Sequence, residues 1–393
     1  MDDVVIVAAK RTPIGSFNGA LATIPSPRLG ALAIRASLDS VGLDPGEVNE
    51  VIMGSVVCAA QGQAPARQAV LYAGLPQSTS AMTVNKVCGS GLKAVMLATQ
   101  AIKLGESDVI VAGGMENMSL APYALTKARS GYRMGHGQLL DLMIYDGLWD
   151  PYHDCHMGII GEKCAKEHGL TREMQDAYAA ESTRRALAAI ESGKFKDEII
   201  PVEVKQRKGD VAMIDTDEEP RRANPKKLPE LKPAFDKNGT ITAGNASSLN
   251  DGAAVVVLMS STKAKTLGLK PLARVEGYTQ ASHDPDWFTT APAEAMLKLL
   301  SKANLQAGDI DLWEVNEAFA VVSLYNHKKV GIPAERANVN GGAISLGHPI
   351  GASGARLLTT LLYELHRRPQ ARRGVVSLCI GGGEAVAMLV EKC

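Results

Sequence analysis

A pattern that occurs twice limits this fold more than any other feature. LDSVGLDPGEVNEVIMGSV (residues 38–56) and LSKANLQAGDIDLWEVNEA (residues 300–318) both read as a helix end, a turn and a strand. With Gly46 and Gly308 taken as equivalent, Cys88 follows 42 residues after the first and His348 40 residues after the second. Each is soon followed by Gly and Ser and by a helix-like run without a broad polar face, GSGLKAVMLATQAI and GASGARLLTTLL. Each half then offers a strand ending in glycines, DVIVAGG and VVSLCIGGG. Three matches in one order predict two similar halves that bring Cys88 and His348 together.

Strand-like runs alternate with helix-like ones, and several are apolar throughout, as strands covered on both faces must be. Aromatics are only 4% of a chain that is 46% hydrophobic and holds 38 glycines, so small side chains and close backbone approaches must fill the core. These features predict a layered α/β fold. The expected organisation is an N-terminal half over 1–119 completed by 249–269, an inserted lobe over 120–248, and a C-terminal half over 270–393. The lobe contains a helix-like run, TREMQDAYAAESTRRALAAIES, and a polar Pro-rich passage, TDEEPRRANPKKLPELKP, unsuited to a regular core element. It is expected to lie over the end of the core and cover a ligand.

Basic and acidic residues balance at 42 each, so nothing attracts nucleic acid or anionic lipid globally. The acidic start, MDDVVIVAAK, has no basic leader, and no run of eighteen apolar residues occurs. A cytoplasmic protein without membrane partners is expected. Its six cysteines include no CxxC pair, which disfavours zinc ribbons and disulfide frameworks.

In VNKVCGSGLKA, Cys88 stands between a strand-like run and a helix start. There, free N–H groups and the helix dipole are expected to favour a thiolate nucleophile. The same residue type also serves as core packing. Gly89–Ala94 match G-x-G-x-x-A, but a dinucleotide loop belongs to a chain-initial unit with an acid about 20 residues on, and here that acid opens the next strand instead. His348, between Gly347 and Pro349, suits a base or hydrogen-bond donor on an irregular loop. Cys379 ends a buried strand beside Gly381, Gly382 and Gly383, whose bare backbone can offer N–H donors. Asn316 and Glu317 end the strand DLWEVN, with helix capping the plainer role for Asn. His153, Cys155 and His156 invite a metal reading but lack a fourth ligand and a usual zinc spacing. Arg221, Arg222, Lys226 and Lys227 form a basic cluster, ordinarily a solvated face, that can hold phosphates.

Together, VVIVAAKRTPIGSFNG, NKVCGSGLKA, VAGGMENMS, HMG, GNASSLNDGAA, NEAFA, GGAISLGHPIGASGAR and CIGGGEA resemble the thiolase family, and its short-chain branch, nearly end to end. The resemblance implies duplicated mixed-sheet domains in an α/β/α/β/α layering with an inserted loop domain, assembled as a homotetramer, a dimer of dimers. It implies acetyl transfer between coenzyme A thioesters, with acetyl-CoA and 3-ketoacyl-CoA as substrates and no separate cofactor or metal. Cys88 would take the acyl group and His348 would activate it. Cys379 would remove the α-proton of the second acetyl-CoA. Asn316 would hold a water that forms one oxyanion hole with His348, and the N–H groups of Cys88 and Gly381 the other. His156 and Met157 would lie near the acyl end and pantetheine, Ser247 at a pantetheine amide, and Arg221 by the adenine.

The chain departs from the family where NPKKLPELKP replaces a charged, Ser-containing helix and where HDPDWFTTAPAEA replaces a Met-Gly-x-Gly-Pro run near the acyl pocket. Three rivals stay open. They are a 3-ketoacyl-CoA thiolase of broader range, a decarboxylating ketoacyl synthase, against which Cys379 in place of a second histidine argues, and a silent acyl or lipid carrier on the same fold, against which the intact Cys, His, Cys and Asn set argues.

Overall fold

The computed structural model describes residues 2–205 and 209–393. Its main sheet is built from β1 (Val4–Arg11), β2 (Glu50–Gly54), β3 (Ser80–Val84), β4 (Val109–Asn117), β5 (Asn250–Ser260), β6 (Ala273–Ser282), β7 (Leu312–Val315), β8 (Arg373–Ile380) and β9 (Glu384–Lys392). The strand order is β7-β8-β9-β6-β1-β5-β4-β2-β3. From the β6–β1 junction outward the two directions repeat one another. β2 and β4 run parallel, as do β7 and β8, and the remaining pairs within each half are antiparallel apart from parallel β2–β3.

The duplication extends to single residues. Both first strands carry an irregularity, between Ile6 and Ala8 in β1 and between Val275 and Gly277 in β6. Asn49 Oδ1 accepts from the N–H groups of Asp108 and Val109, each at 2.9 Å. Asp311 Oδ2 does the same for Arg372 and Arg373 at 2.8 and 2.9 Å. Gly46 and Gly308 both lie in short 3₁₀ turns, Pro45–Glu47 and Ala307–Asp309. The parallel bridge of Trp313 to Ala337 stands where β2 pairs with β3.

Side-chain alternation explains the continuously apolar strands. In β1, Val4 and Ile6 enter the cluster between the two halves, whereas Val5 and Val7 face outward. In β9, Val386, Met388 and Val390 point inward and Ala385, Ala387 and Leu389 outward. Both faces are covered. Helices α1 (Ser26–Asp39) and α2 (Pro65–Tyr72) cover one outer face. Helix α3 (Ser90–Leu104) fills the middle with α8 (Ser353–Arg367), and α6 (Ala291–Ala303) covers the other outer face, helped by α7 (Ala320–Val330). The result is the five-layered α/β/α/β/α arrangement.

The middle layer depends on missing side chains. A Cβ on Gly354 of α8 would come 2.4 Å from Leu92 N of α3, and one on Gly91 would come 3.0 Å from Ala355 N. The helices therefore meet backbone to backbone at their N-terminal ends. Those ends carry the loops of Cys88 and His348, so the contact fixes the distance between them.

The chain between β4 and β5 forms the lobe, with α4 (Met157–Glu167) and α5 (Arg172–Glu191). Its Pro-rich passage forms only a short helix, Glu219–Arg222, and a 3₁₀ run, Pro225–Glu230. Buried Arg11 of β1 clamps it, bonding Asp217 at 2.7 and 2.9 Å and Glu198 at 2.6 Å. Among the described residues no helix is long and apolar enough to cross a membrane.

Candidate active site

Cys88 sits on the turn from β3 into α3, and the residue before it is strained. Val87 has φ +43°, a left-handed conformation costly for a β-branched side chain. The turn is braced by Ser90 Oγ, which accepts from Lys86 N at 2.8 Å and donates to Val87 O at 2.7 Å. Asn85 Oδ1 accepts from Val87 N at 3.0 Å. The N–H groups of Gly381 and of Cys88 itself point at the sulfur and favour the thiolate, but burial outweighs them and pushes the thiol up to about 11. The expectation of a resting thiolate is thus corrected. Enclosure removes more solvation than a helix start returns.

His348 is held by its backbone and by its ring. Its N–H donates to Asn250 Oδ1 at 2.8 Å, and Asn250 Nδ2 donates to Gly15 O at 3.0 Å. Gly347 precedes it at φ +107°, where a Cβ would strike the Asn250 amide at 2.5 Å. The Ser353 hydroxyl gives its single hydrogen to Pro349 O at 2.9 Å, so its 2.6 Å contact with His348 Nδ1 makes that nitrogen the donor. The Nε2 lone pair is then left facing Asn316 Nδ2, 3.3 Å away. Burial, reinforced by the charge of Arg356, pulls the imidazole down to about 3. The ring is neutral, with a free lone pair on Nε2.

Cys379 is buried on β8, one residue before its end. Burial first, then Cys88, raises its thiol well above the ordinary range. Cys88, His348, Cys379 and Gly381 all border one cavity of about 370 Å³. His156, Met157 and Ser247 border it too, bringing lobe and core to one place. Asn316 lies behind His348, fully buried, with no hydrogen-bond partner found for Oδ1 among the described residues. Glu317 points away and braces the loop, accepting from Tyr178, Ser182, Asn338 and Ile344 N at 2.7–3.1 Å.

Other expectations separate. Arg221 is exposed and outside the cavity lining. His156 Nδ1 caps α4 by accepting from Gly158 N at 3.0 Å, and its ring stacks on Phe235 at 4.6 Å. His153 instead pairs with Asp150 and Asp286 at 2.8 and 3.2 Å, so the HDCH histidines serve different partners. The glycines of the G-x-G-x-x-A match serve protein contacts. A Cβ on Gly89 would lie 2.4 Å from Ile380 Cδ1, and Gly91 meets α8, which leaves no dinucleotide loop.

Sequence reasoning missed Asn250, Ser353 and the aromatic wall. Phe235, Phe288 and Phe319 line the cavity, with ring centroids 6.0 Å apart for Phe235–Phe319 and 6.3 Å for Phe288–Phe319. A Ser at the fifth residue after a loop His, at a helix start, is the one local signal that pointed to Ser353.

Two family descriptions match almost the whole chain: "Thiolase, N-terminal domain" over residues 4–262 and "Thiolase, C-terminal domain" over residues 269–392. Proteins named acetyl-CoA acetyltransferase are similar along the full length. The one from Pseudomonas aeruginosa is 57% identical and that from Cupriavidus necator 55%, each with all of both chains covered. The one from Chromobacterium violaceum is 54% identical over 99% of this chain and 100% of its own. With two halves, two thiols and an imidazole arranged in this way, the chain belongs to the thiolase family.

Proposed function

We infer that the chain is an acetyl-CoA C-acetyltransferase. It condenses two acetyl-CoA to acetoacetyl-CoA and CoA through an acetyl-cysteine, and runs the reverse thiolysis. One observation carries the reading: two thiols, an imidazole and the Gly381 backbone border a single cavity.

His348 Nε2 takes the Cys88 proton as the sulfur attacks the acetyl carbonyl. The departing CoA sulfur takes a proton from Cys379, leaving a thiolate beside an imidazolium. After CoA leaves, the Cys379 thiolate removes the α-proton of the second acetyl-CoA, whose enolate oxygen is met by His348 Nε2–H and a water held by Asn316. The carbanion attacks acetyl-Cys88, and the new oxyanion takes the N–H groups of Cys88 and Gly381 that point at the sulfur at rest. Collapse expels Cys88, which recovers its proton from His348. Every proton returns, so no cofactor beyond the CoA thioesters is required. A single thiol cannot be both electrophilic thioester and base, which accounts for two.

His156, Met157 and Ser247 bind the acyl end and pantetheine, and Arg221 the adenine, with the lobe of 120–248 covering CoA. The Phe288 wall favours short acyl groups. The working form is a homotetramer in the cytoplasm; its assembly is supported by exposed Tyr123, Met134, Leu139 and Tyr145 on the lobe and by exposed Met82 on edge strand β3.

Incubation with acetyl-CoA followed by mass spectrometry tests the reading. A gain of about 42 Da on Cys88, one acetyl group, is expected. An unmodified Cys88 would instead mark a carrier.

A further inference from the structure

Gly351 lies three residues beyond His348 on the loop leading into α8, and its peptide is gripped from both sides by the other half. Its carbonyl occupies a slot of bare backbone: a Cβ at Gly54, Gly91 or Gly114 would fall 2.7, 3.0 or 1.9 Å from that oxygen. On the opposite side its N–H donates to Glu116 Oε2 at 2.9 Å. The same carboxylate accepts from Val56 N at 3.0 Å and Val57 N at 3.2 Å. Val56, Val57 and Ile350 share a packed cluster with Val87 and Cys88. Glu116 thus ties the segment beneath the nucleophile to the loop that carries its base.

The group is costly to keep. Glu116 is fully buried, and burial lifts its carboxyl to about 7 against the pull of its three N–H donors. A buried carboxylate held by backbone alone adds little to stability compared with an apolar residue of similar size. What it supplies is direction, since three N–H vectors from two halves converge on one rigid group.

We propose that Glu116 is a positioning residue for acetyl transfer, holding His348 through Gly351 at the place where Nε2 takes the Cys88 proton. The inference rests on the roles given above to Cys88 and His348. Glu116 touches neither substrate nor sulfur; it acts through the loop, and the glycine slot confines that loop to one path.

The test compares wild type, E116A and E116Q as full-length enzymes, measuring the rate of acetyl-Cys88 formation by rapid quench and the pH dependence of Cys88 alkylation by iodoacetamide. E116A should acylate about 100-fold more slowly, the scale of a lost general base, with KM for acetyl-CoA changed by about twofold or less. Its alkylation should rise with pH as an unassisted buried thiol does. E116Q keeps an oxygen for Val56 and Gly351 while setting an amide against Val57 N–H, so it should recover part of the loss and acylate about tenfold more slowly than wild type. A purely structural Glu116 predicts a lower melting temperature for E116A with wild-type acylation and alkylation profiles in the folded enzyme, and that result overturns the proposal. If E116A does not fold, E116Q decides: slowed acylation supports the proposal, and rates and profile equal to wild type overturn it. Failure of wild type itself to acylate Cys88 would remove the functional reading rather than this inference alone.

Discussion

Ser353 Oγ stands 2.6 Å from His348 Nδ1 while donating its own hydrogen to Pro349 O. This relationship selects one imidazole tautomer, and with it the nitrogen left free to accept a proton. Replacing Ser353 by Ala frees Nδ1 and lets the ring turn, as removal of the group orienting a catalytic His does elsewhere. We predict that Ser353→Ala lowers kcat by about 10-fold with little change in KM, the scale typical of lost supporting partners. Steady-state thiolysis of acetoacetyl-CoA measures it, and an unchanged kcat would remove the tautomer argument.

The buried imidazole also links stability to pH. His348 has its proton affinity drawn from the ordinary 6.5 down to about 3, so below pH 6.5 the unfolded chain binds a proton that the folded one refuses. Stability from this group is present above 6.5 and is lost as pH falls toward 3. Glu116, raised from 4.5 to about 7, acts oppositely, favouring the folded state as pH falls from 7 to 4.5. It does so equally in a His348→Asn variant, so the difference between the two proteins isolates the histidine. Between about pH 7.5 and 5, wild type should lose about 2 kcal/mol more than His348→Asn in urea unfolding. Parallel losses would mean that the ring is solvated.

Much of this architecture was legible in the chain. The repeated turn-and-strand pattern placed Cys88 and His348 at equivalent ends because backbone periodicity is local, and Asn49 and Asp311 make the equivalence concrete. The glycines were recognised as close approaches, but Gly91 and Gly354 bring helix to helix rather than backbone to ligand. Desolvation was not legible. It depends on what the lobe and the other half lay over the thiol, and it reversed the expected ionisation of Cys88. Asn250 and Ser353 escaped notice for a similar reason, since only the folded path of the loop says which carboxamide or hydroxyl the histidine meets.

Phe288 packs against Phe319 in the cluster that includes Met157 and Cys379, and both rings border the cavity. Phe288→Ala should open room for longer acyl groups, raising the ratio of kcat/KM for a six-carbon over a four-carbon 3-ketoacyl-CoA by about 10-fold. The same change should cost about 3–5 kcal/mol in stability. Thiolysis rates across chain lengths check it, and an unchanged ratio would put the limiting wall elsewhere.

The division of labour between the two sulfurs is tested most directly by Cys379→Ser, assayed for both half-reactions with acetyl-CoA alone. The account predicts that this variant still gains an acetyl group on Cys88, with the CoA sulfur protonated more slowly, and yields no acetoacetyl-CoA. Cys88→Ala in the same assay should give neither product. Acetoacetyl-CoA formed by Cys379→Ser at a rate near wild type would contradict the account, because a hydroxyl in that place is far too weak a base to take the α-proton.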